Sequence, residues 1–373
     1  MSESVFLLVD CNNFYCSCER VFNPSLENTP IAVLSNNDGC IIARSDELKI
    51  LNIPMAAPYH KYKYEMKKHG VKVFSSNYQL YGDISHRIMQ ILNQFAPNME
   101  IYSIDEAFLK IEFTSNEEIV KFAKKIRYII KKWVGIPVSI GIGPTKTLTK
   151  VANYFAKKYR KNIDGVYNIC SIEIRDYALS KHNIGDLWGV GREWSKKMKH
   201  NNIFTALELK NADPKWVRKH FSVVGERMVR ELNGISCLDL EETKPKQSIM
   251  SSKSFGKAVN DKEIIMQALA NYTAKACEKL RMQNSQSSAT CIFIRTNRFS
   301  SKDEQYSNSV VISFDQPTDY TGIILQTVRM ALSKIYKSQY HKAGIILLGL
   351  TPKTHIKLNM FCLCLKKIFI KQH

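Results

Sequence analysis

Apolar and polar positions fall into blocks along this chain, and their periods predict its elements before any chemistry is considered. Val5, Phe6, Leu7, Leu8 and Val9 form an unbroken apolar run, as expected of a buried strand, and the run stops at Asp10. Residues 22–74 are interrupted by Pro24, Pro30, Pro54 and Pro58 and read as a small irregular insert. Ile84, Ile88, Ile91, Leu92 and Phe95 recur at helical spacing up to Pro97, which stops the helix. Residues 101–104 and 107–113 read as two strands around the pair Asp105 and Glu106. A longer helix follows, with Ile119, Phe122, Ala123, Ile126, Ile130 and Trp133 inward and Lys121, Lys124, Lys125, Arg127, Lys131 and Lys132 on its other side. Residues 137–142 give another strand, and 145–159 a helix with Leu148, Val151, Ala152 and Phe155 on one side. Strand, helix, hairpin, helix, strand, helix is the order of an α/β sheet layer with helices packed against it.

Residues 183–240 read as short-looped helices containing Gly189-Val190-Gly191, and the polar stretch 241–247, with Pro245, reads as a linker. A second self-contained pattern follows: strand 248–257, helix 261–283, strands 288–298 and 308–315, helix 320–338, strand 344–351. That order is a split βαβ arrangement. The fold class expected is α/β (α+β) and multidomain, because 373 residues exceed one ordinary domain.

Charge changes the picture. Lys and Arg exceed Asp and Glu by 20, and from position 245 onward 19 basic residues face 7 acidic ones. So positive a surface repels itself unless it faces a polyanion, which makes nucleic acid the expected partner. The ten cysteines include no C-x-x-C pair and no His at zinc spacing, so they read as buried packing in a reducing cytoplasm. No apolar run reaches bilayer length and none resembles a signal peptide, so no membrane role is expected.

Asp10 ends one apolar strand, and Asp105-Glu106 interrupts another apolar region. Carboxylates beside core strands are costly unless paired or metal-bound. Three that converge would offer hard oxygen ligands to a pair of Mg2+ ions, which can activate a hydroxyl and stabilise a leaving pyrophosphate. Neighbours on a flat strand point to opposite faces, so Asp105 and Glu106 share a site only at a bend or hairpin tip. An exposed turn and a helix cap are the plain alternative.

Leu8-Val9-Asp10-Cys11-Asn12-Asn13-Phe14-Tyr15, Ser103-Ile104-Asp105-Glu106-Ala107-Phe108 and Gly141-Ile142-Gly143-Pro144-Thr145-Lys146-Thr147-Leu148-Thr149-Lys150 resemble the signature motifs of Y-family DNA polymerases. The segments 11–19 and 34–40 are similar to the UmuC branch of that family, and the resemblance runs from about residue 5 to 361. It implies a palm (1–21 and 75–170), fingers (22–74), a helical thumb with a helix-hairpin-helix (171–240), a linker (241–247), a little finger (248–352) and a tail (353–373). It implies error-prone translesion synthesis in the SOS response to DNA damage, on primer-template DNA with dNTPs and two Mg2+ ions. Asp10, Asp105 and Glu106 would be the catalytic and metal-binding carboxylates, with the main-chain carbonyl of Cys11 as a further ligand. Tyr15 would be the steric gate against a ribose 2′-OH, Phe14 would support the sugar, and Lys150 would reach the triphosphate from the start of its helix.

One departure stands out. Where the family's fingers carry a Tyr and an Arg for the triphosphate, this chain has Asp46 and Lys49; Lys49 lacks the bidentate fork of Arg, and Arg44 is the candidate substitute. Gly189 and Gly191 would present backbone amides to DNA phosphates, and Arg295 and Arg298 would touch DNA from opposite faces of one strand. Leu358, Met360 and Phe361 resemble a sliding-clamp-binding peptide, with Lys357 in place of its usual Gln. Longer members continue for several dozen residues, which suggests a shortened end here. Resemblance further implies a processed UmuD dimer and a RecA filament as partners, and a bacterial, cytoplasmic, nucleoid-associated setting. Two other readings compete: a catalytically impaired DNA-binding or recruitment subunit at stalled primer ends, and a nucleotide cyclase, for which the basic C-terminal part has no use.

Overall fold

The apolar run becomes strand β1 (Glu3–Cys11), and a turn at Asn13, in the left-handed region with φ of 48°, starts helix α1 (Phe14–Phe22). Asn is among the few residues that accept this conformation at low cost. In this computed structural model residues 3–113, 115–242, 244–297, 305–336 and 340–353 are described. They divide into two units, Met1–Thr243 and Lys244–His373.

The proline-interrupted insert is more regular than its sequence suggests. It forms β2 (Ile31–Leu34), β3 (Ile41–Arg44), α2 (Asp46–Ile50), α3 (Tyr59–Lys68) and β4 (Lys72–Ser75). Its strands make a three-stranded sheet in the order β3-β2-β4, with a small core of Ala32, Leu34, Ile41, Leu48, Ile53 and Met66. The chain continues through α4 (Tyr78–Phe95), β5 (Met99–Ile101), β6 (Glu106–Phe113), α5 (Asn116–Val134), β7 (Val138–Gly143), α6 (Lys146–Lys158) and β8 (Val166–Asn168). These strands form a five-stranded sheet in the order β5-β6-β1-β7-β8. Central β1 is covered on both faces, which is why its apolar run does not alternate. Val5, Leu7, Val9 and Cys11 join the core built with α1, α4 and α5. Phe6, Leu8 and Asp10 take the other face by the strand's two-residue period.

Helix α6 lies against that other face, and the contact is polar. Its apolar residues Leu148, Val151, Ala152 and Phe155 turn away from the sheet into a second core with α7 (Ile172–Lys181), α8 (Arg192–His200), α9 (Ala206–Lys210) and α10 (Pro214–Leu232). Gly141 makes the close approach feasible: a Cβ there would lie 2.3 Å from the Asn153 amide nitrogen and 2.4 Å from the Thr149 carbonyl oxygen. Helix α10 is broken at Phe221 and Ser222, which leave helical geometry.

The second unit has the expected order of elements: β9 (Ile249–Val259), α11 (Lys262–Met282), β10 (Ser285–Arg295), β11 (Ser307–Thr318), α12 (Thr321–Ile335) and β12 (Tyr340–Pro352). Its antiparallel sheet runs β11-β10-β12-β9, and its core joins Ile265, Leu269 and Leu280 of α11 to Val328 and Leu332 of α12 and to Ile292, Ile345 and Leu347.

Candidate active site

Register brings the carboxylates together. Asp10 on β1 pairs directly with Glu106 on the antiparallel β6, and the Cys11 amide donates to the Asp105 carbonyl oxygen at 2.9 Å. Directly opposed residues of an antiparallel pair present their side chains to the same face. Asp105 sits one residue before β6, in a tight turn whose Tyr102 and Ser103 amides both donate to the Glu106 carbonyl at 3.1 Å. The bend required for Asp105 and Glu106 to share a neighbourhood is therefore present.

Helix α6 supplies the counter-charges along one stripe. Lys146 donates to Glu100 at 2.7 Å, Lys150 to Glu106 at 2.7 Å, and Lys157 to Asp10 at 2.6 Å. Between them the Asn153 amide donates to the carbonyl oxygens of Leu8 and Ser139. Positions 146, 150, 153 and 157 follow the three- and four-residue steps of one helix face. Asp10 is only 3% exposed. Burial pushes its carboxyl well above the ordinary range, the Glu106 carboxyl pushes the same way, and Lys157 opposes both. At Glu106 burial also disfavours charge, yet the hydrogen bond from Asp10 and the Lys150 ammonium hold it below its ordinary value. Lys157 and Lys150 thus stand as the counter-charges of the pair.

Three fully convergent carboxylates were expected, and the structure differs. Among the described residues no three His, Cys, Asp or Glu side chains cluster closely enough to chelate an ion. Asp10 and Glu106 touch, whereas Asp105 accepts from the Ser103 hydroxyl at 2.7 Å. Like charges in a buried site separate or take up counter-charge, and here two ammonium groups and a hydroxyl do that work. The donor set still fits a divalent cation: hard carboxylate oxygens with more negative charge than the site can hold unaided.

Asp10 and Asp105 line one cavity of about 320 Å3 with Cys11, Phe14, Tyr15, Arg44, Lys49 and Lys157. Tyr15 stacks on Tyr81, ring centroids 4.5 Å apart, and meets Tyr78 edge-on at 5.9 Å. Phe14 is buried beside it. Arg44 donates through Nη1 to the Ile53 carbonyl, while its buried Nε has no partner among the described residues. Lys49 is held by Asn13 at 2.6 Å and by Asp46 at 3.0 Å.

Lys150 departs from expectation: it sits on Glu106, 4.3 Å from the Tyr102 ring centre and also over Phe108 and Trp188, and does not line the cavity. Lys157, which the sequence reading passed over, does line it. The missed signal was the polar stripe opposite the apolar face of α6.

Gly189 takes φ of 91° in the turn before α8, and Gly191 caps that helix with open space where a Cβ would point. Arg295 ends β10. Arg298, Leu358, Met360 and Phe361 lie outside the described residues.

Comparison with known proteins follows the same outline. The profile of the impB/mucB/samB family matches residues 9–154, and that of the family's C-terminal domain matches residues 246–360. Protein UmuC of Salmonella typhimurium is 42% identical over 96% of this chain and 86% of its own length. DNA polymerase IV of Lactococcus lactis is 25% identical over 92% of both chains. Among solved structures, a Y-family DNA polymerase chimera of Dbh and Dpo4 superposes with a TM-score of 0.70 at 17% identity, covering 95% of this chain and all of that one. An insertion ternary complex of Dbh DNA polymerase gives 0.61 at 19% identity, covering 93% of this chain and 99% of that one.

Proposed function

The chain belongs to the impB/mucB/samB family of Y-family polymerases, and from that premise we propose that it is a template-directed DNA polymerase for error-prone translesion synthesis. The observation that carries the reading is the pairing of Asp10 with Glu106 across β1 and β6, with Asp105 at the adjoining turn and cations along the same cavity. In this reading the five-stranded sheet is the palm, 22–74 the fingers, 171–240 the thumb and 248–352 the little finger.

Asp10, Asp105, Glu106 and the Cys11 carbonyl would hold two Mg2+ ions, which supply activation of the primer 3′-OH and neutralisation of the departing pyrophosphate. The residues around them do the rest. Lys157, which ion-pairs with Asp10 at the cavity, would meet the phosphates of the incoming dNTP. Lys49, at the same cavity, adds a second point charge. Lys150 is a positioning residue that keeps Glu106 ionised and in place. Tyr15, braced by Tyr81, closes the space a 2′-OH would need, and Phe14 backs the sugar. Holding the reacting groups in line and stabilising charge supplies most of the rate. The basic second unit and the amides at Gly189 and Gly191 would bind DNA backbone without reading sequence. A processed UmuD dimer, a RecA filament and a sliding clamp complete the proposed setting of SOS mutagenesis.

Asp105→Ala should abolish primer extension on undamaged and damaged templates while leaving DNA affinity close to that of the parent chain. Extension by the folded variant would refute the assignment.

A further inference from the structure

A second cavity, of about 450 Å3, is lined from two directions: by Asn12, Asn13, Asp46 and Lys49 on one side and by the chain from Lys157 to Asn162 on the other. Five cationic residues, Lys49, Lys157, Lys158, Arg160 and Lys161, line it with a single acidic one, Asp46. So strong an excess of positive charge around a space of this size fits a polyphosphate. Asn13, Lys49 and Lys157 also line the cavity that holds Asp10 and Asp105, so the cations run from the reacting end outward, as the β- and γ-phosphates of a bound nucleotide would.

Asp46 would repel that occupant unless it serves another purpose. Its Oδ1 accepts from Asn13 Nδ2 at 2.9 Å and Lys49 Nζ at 3.0 Å, and its Oδ2 accepts from Arg160 Nη2 at 2.8 Å. Burial alone would raise its pKa, yet these three bonds hold it well below the carboxylate range. Arg160 spends one N–H on Asp46, and its guanidinium finds no other partner among the described residues. Its backbone is fixed in the turn after α6, where its carbonyl accepts from the Gly165 amide at 3.1 Å. A planar group with several donors in a fixed fork is thus held at the cavity by one point of attachment.

We infer that Arg160 is a triphosphate-binding residue, and that Asp46 is the positioning residue that aims it. The fork missing at Lys49 is supplied from the end of α6, and the carboxylate at position 46 is what holds it there. This inference rests on the polymerase reading and adds a ligand to its nucleotide site.

The test uses the full chain on primer-template with a dideoxy-terminated primer, measuring equilibrium binding of matched dNTP and dNDP, alongside single-nucleotide extension on a normal primer. The parent chain should prefer dNTP over dNDP. Arg160→Ala should shrink that preference by about tenfold or more, because charge-assisted hydrogen bonds to the terminal phosphate are lost. Arg160→Lys should recover part of it, Asp46→Asn should lose less than Arg160→Ala, and the kinetic loss should fall more on KM than on kcat. Arg160→Lys keeps the charge at position 160, so it decides the matter if the alanine variant fails to fold. Folded Arg160 variants that keep the parent's preference, or lose affinity for dNTP and dNDP equally, would reduce the residue to a structural tie. A parent chain that extends primers without preferring dNTP overturns the inference alone; one that neither extends primers nor binds nucleotide overturns the polymerase reading with it.

Discussion

A carboxyl buried as deeply as Asp10, beside a second one at Glu106, persists only with compensating charge, and here Lys157 and Lys150 supply it. The carboxylates were legible because an acid at the end of an apolar strand is costly without a purpose. Lys157 was not, because a lysine on a helix is solvated in most proteins, and only the register of α6 against β1 shows that this one, though still exposed, reaches Asp10. Tyr15 was legible as a gate by resemblance; its bracing by Tyr81, 66 positions away, needed the fold. Tyr15→Ala should raise the rNTP/dNTP incorporation ratio on the order of 10- to 100-fold, a range set by what one small group is worth in a shaped pocket. Tyr15→Phe keeps the ring and should leave the ratio unchanged, which single-nucleotide kinetics can check. His182 carries a pH prediction. It is 3% exposed, its Nδ1 has no partner among the described residues, and it packs edge-on against Tyr154 at 4.8 Å. Burial lowers its pKa, with Asp186 opposing. The unfolded chain therefore binds a proton more readily, and stability present above about pH 6.5, the ordinary histidine value, is lost as pH falls through the folded pKa. Urea titrations of the parent and His182→Phe between pH 7.5 and 5 should show a smaller pH slope for the variant.

At the scale of elements, the long strands and helices were readable and the insert was not. Its strands are four residues each, and β2 pairs in parallel with β4 across some forty intervening positions, a pairing with no local signature. The break in α10 at Phe221 and Ser222 was equally hidden, since neither is Gly or Pro and the nearest glycine, Gly225, lies a turn further on. Helix α6 was found, but its orientation was not. The apolar side is plain in the sequence but not what it meets: those residues build the core with α7–α10, and the polar stripe meets the sheet. That arrangement depends on Gly141, where β7 and the backbone of α6 come into contact. Gly141→Ala would place a methyl group inside backbone atoms that cannot rotate away, so α6 must shift. We expect a loss of about 1–3 kcal/mol, the usual cost of overpacking, in urea unfolding. Primer extension should fall as well, because Lys157 and Lys150 move with the helix. Full activity at unchanged stability would show that α6 does not seat the lysines through this contact.

For the whole molecule, charge is the property that sequence reports most directly, because it needs no fold to be counted. The segment from position 245 contributes +12 of the chain's +20, and it folds as a unit with its own core. No helix among the described residues is long and apolar enough to cross a membrane, and the excess charge suits a polyanion. If that unit grips DNA through phosphates, each neutralised phosphate releases counterions, and log K falls with log salt by about 0.9 per contact on B-DNA. Arg295 closes β10 directly opposite Lys342 of β12 in register, so two basic residues share one face at this end of the sheet. Arg295→Gln should reduce the salt slope of primer-template binding by about 1 and weaken every template sequence alike. Fluorescence anisotropy across 50 to 300 mM salt on two unrelated duplexes separates the outcomes. An equal loss on both with a shallower slope marks a phosphate contact. A loss confined to one sequence would make Arg295 a base reader, and an unchanged slope would move the DNA seat away from this end of the sheet.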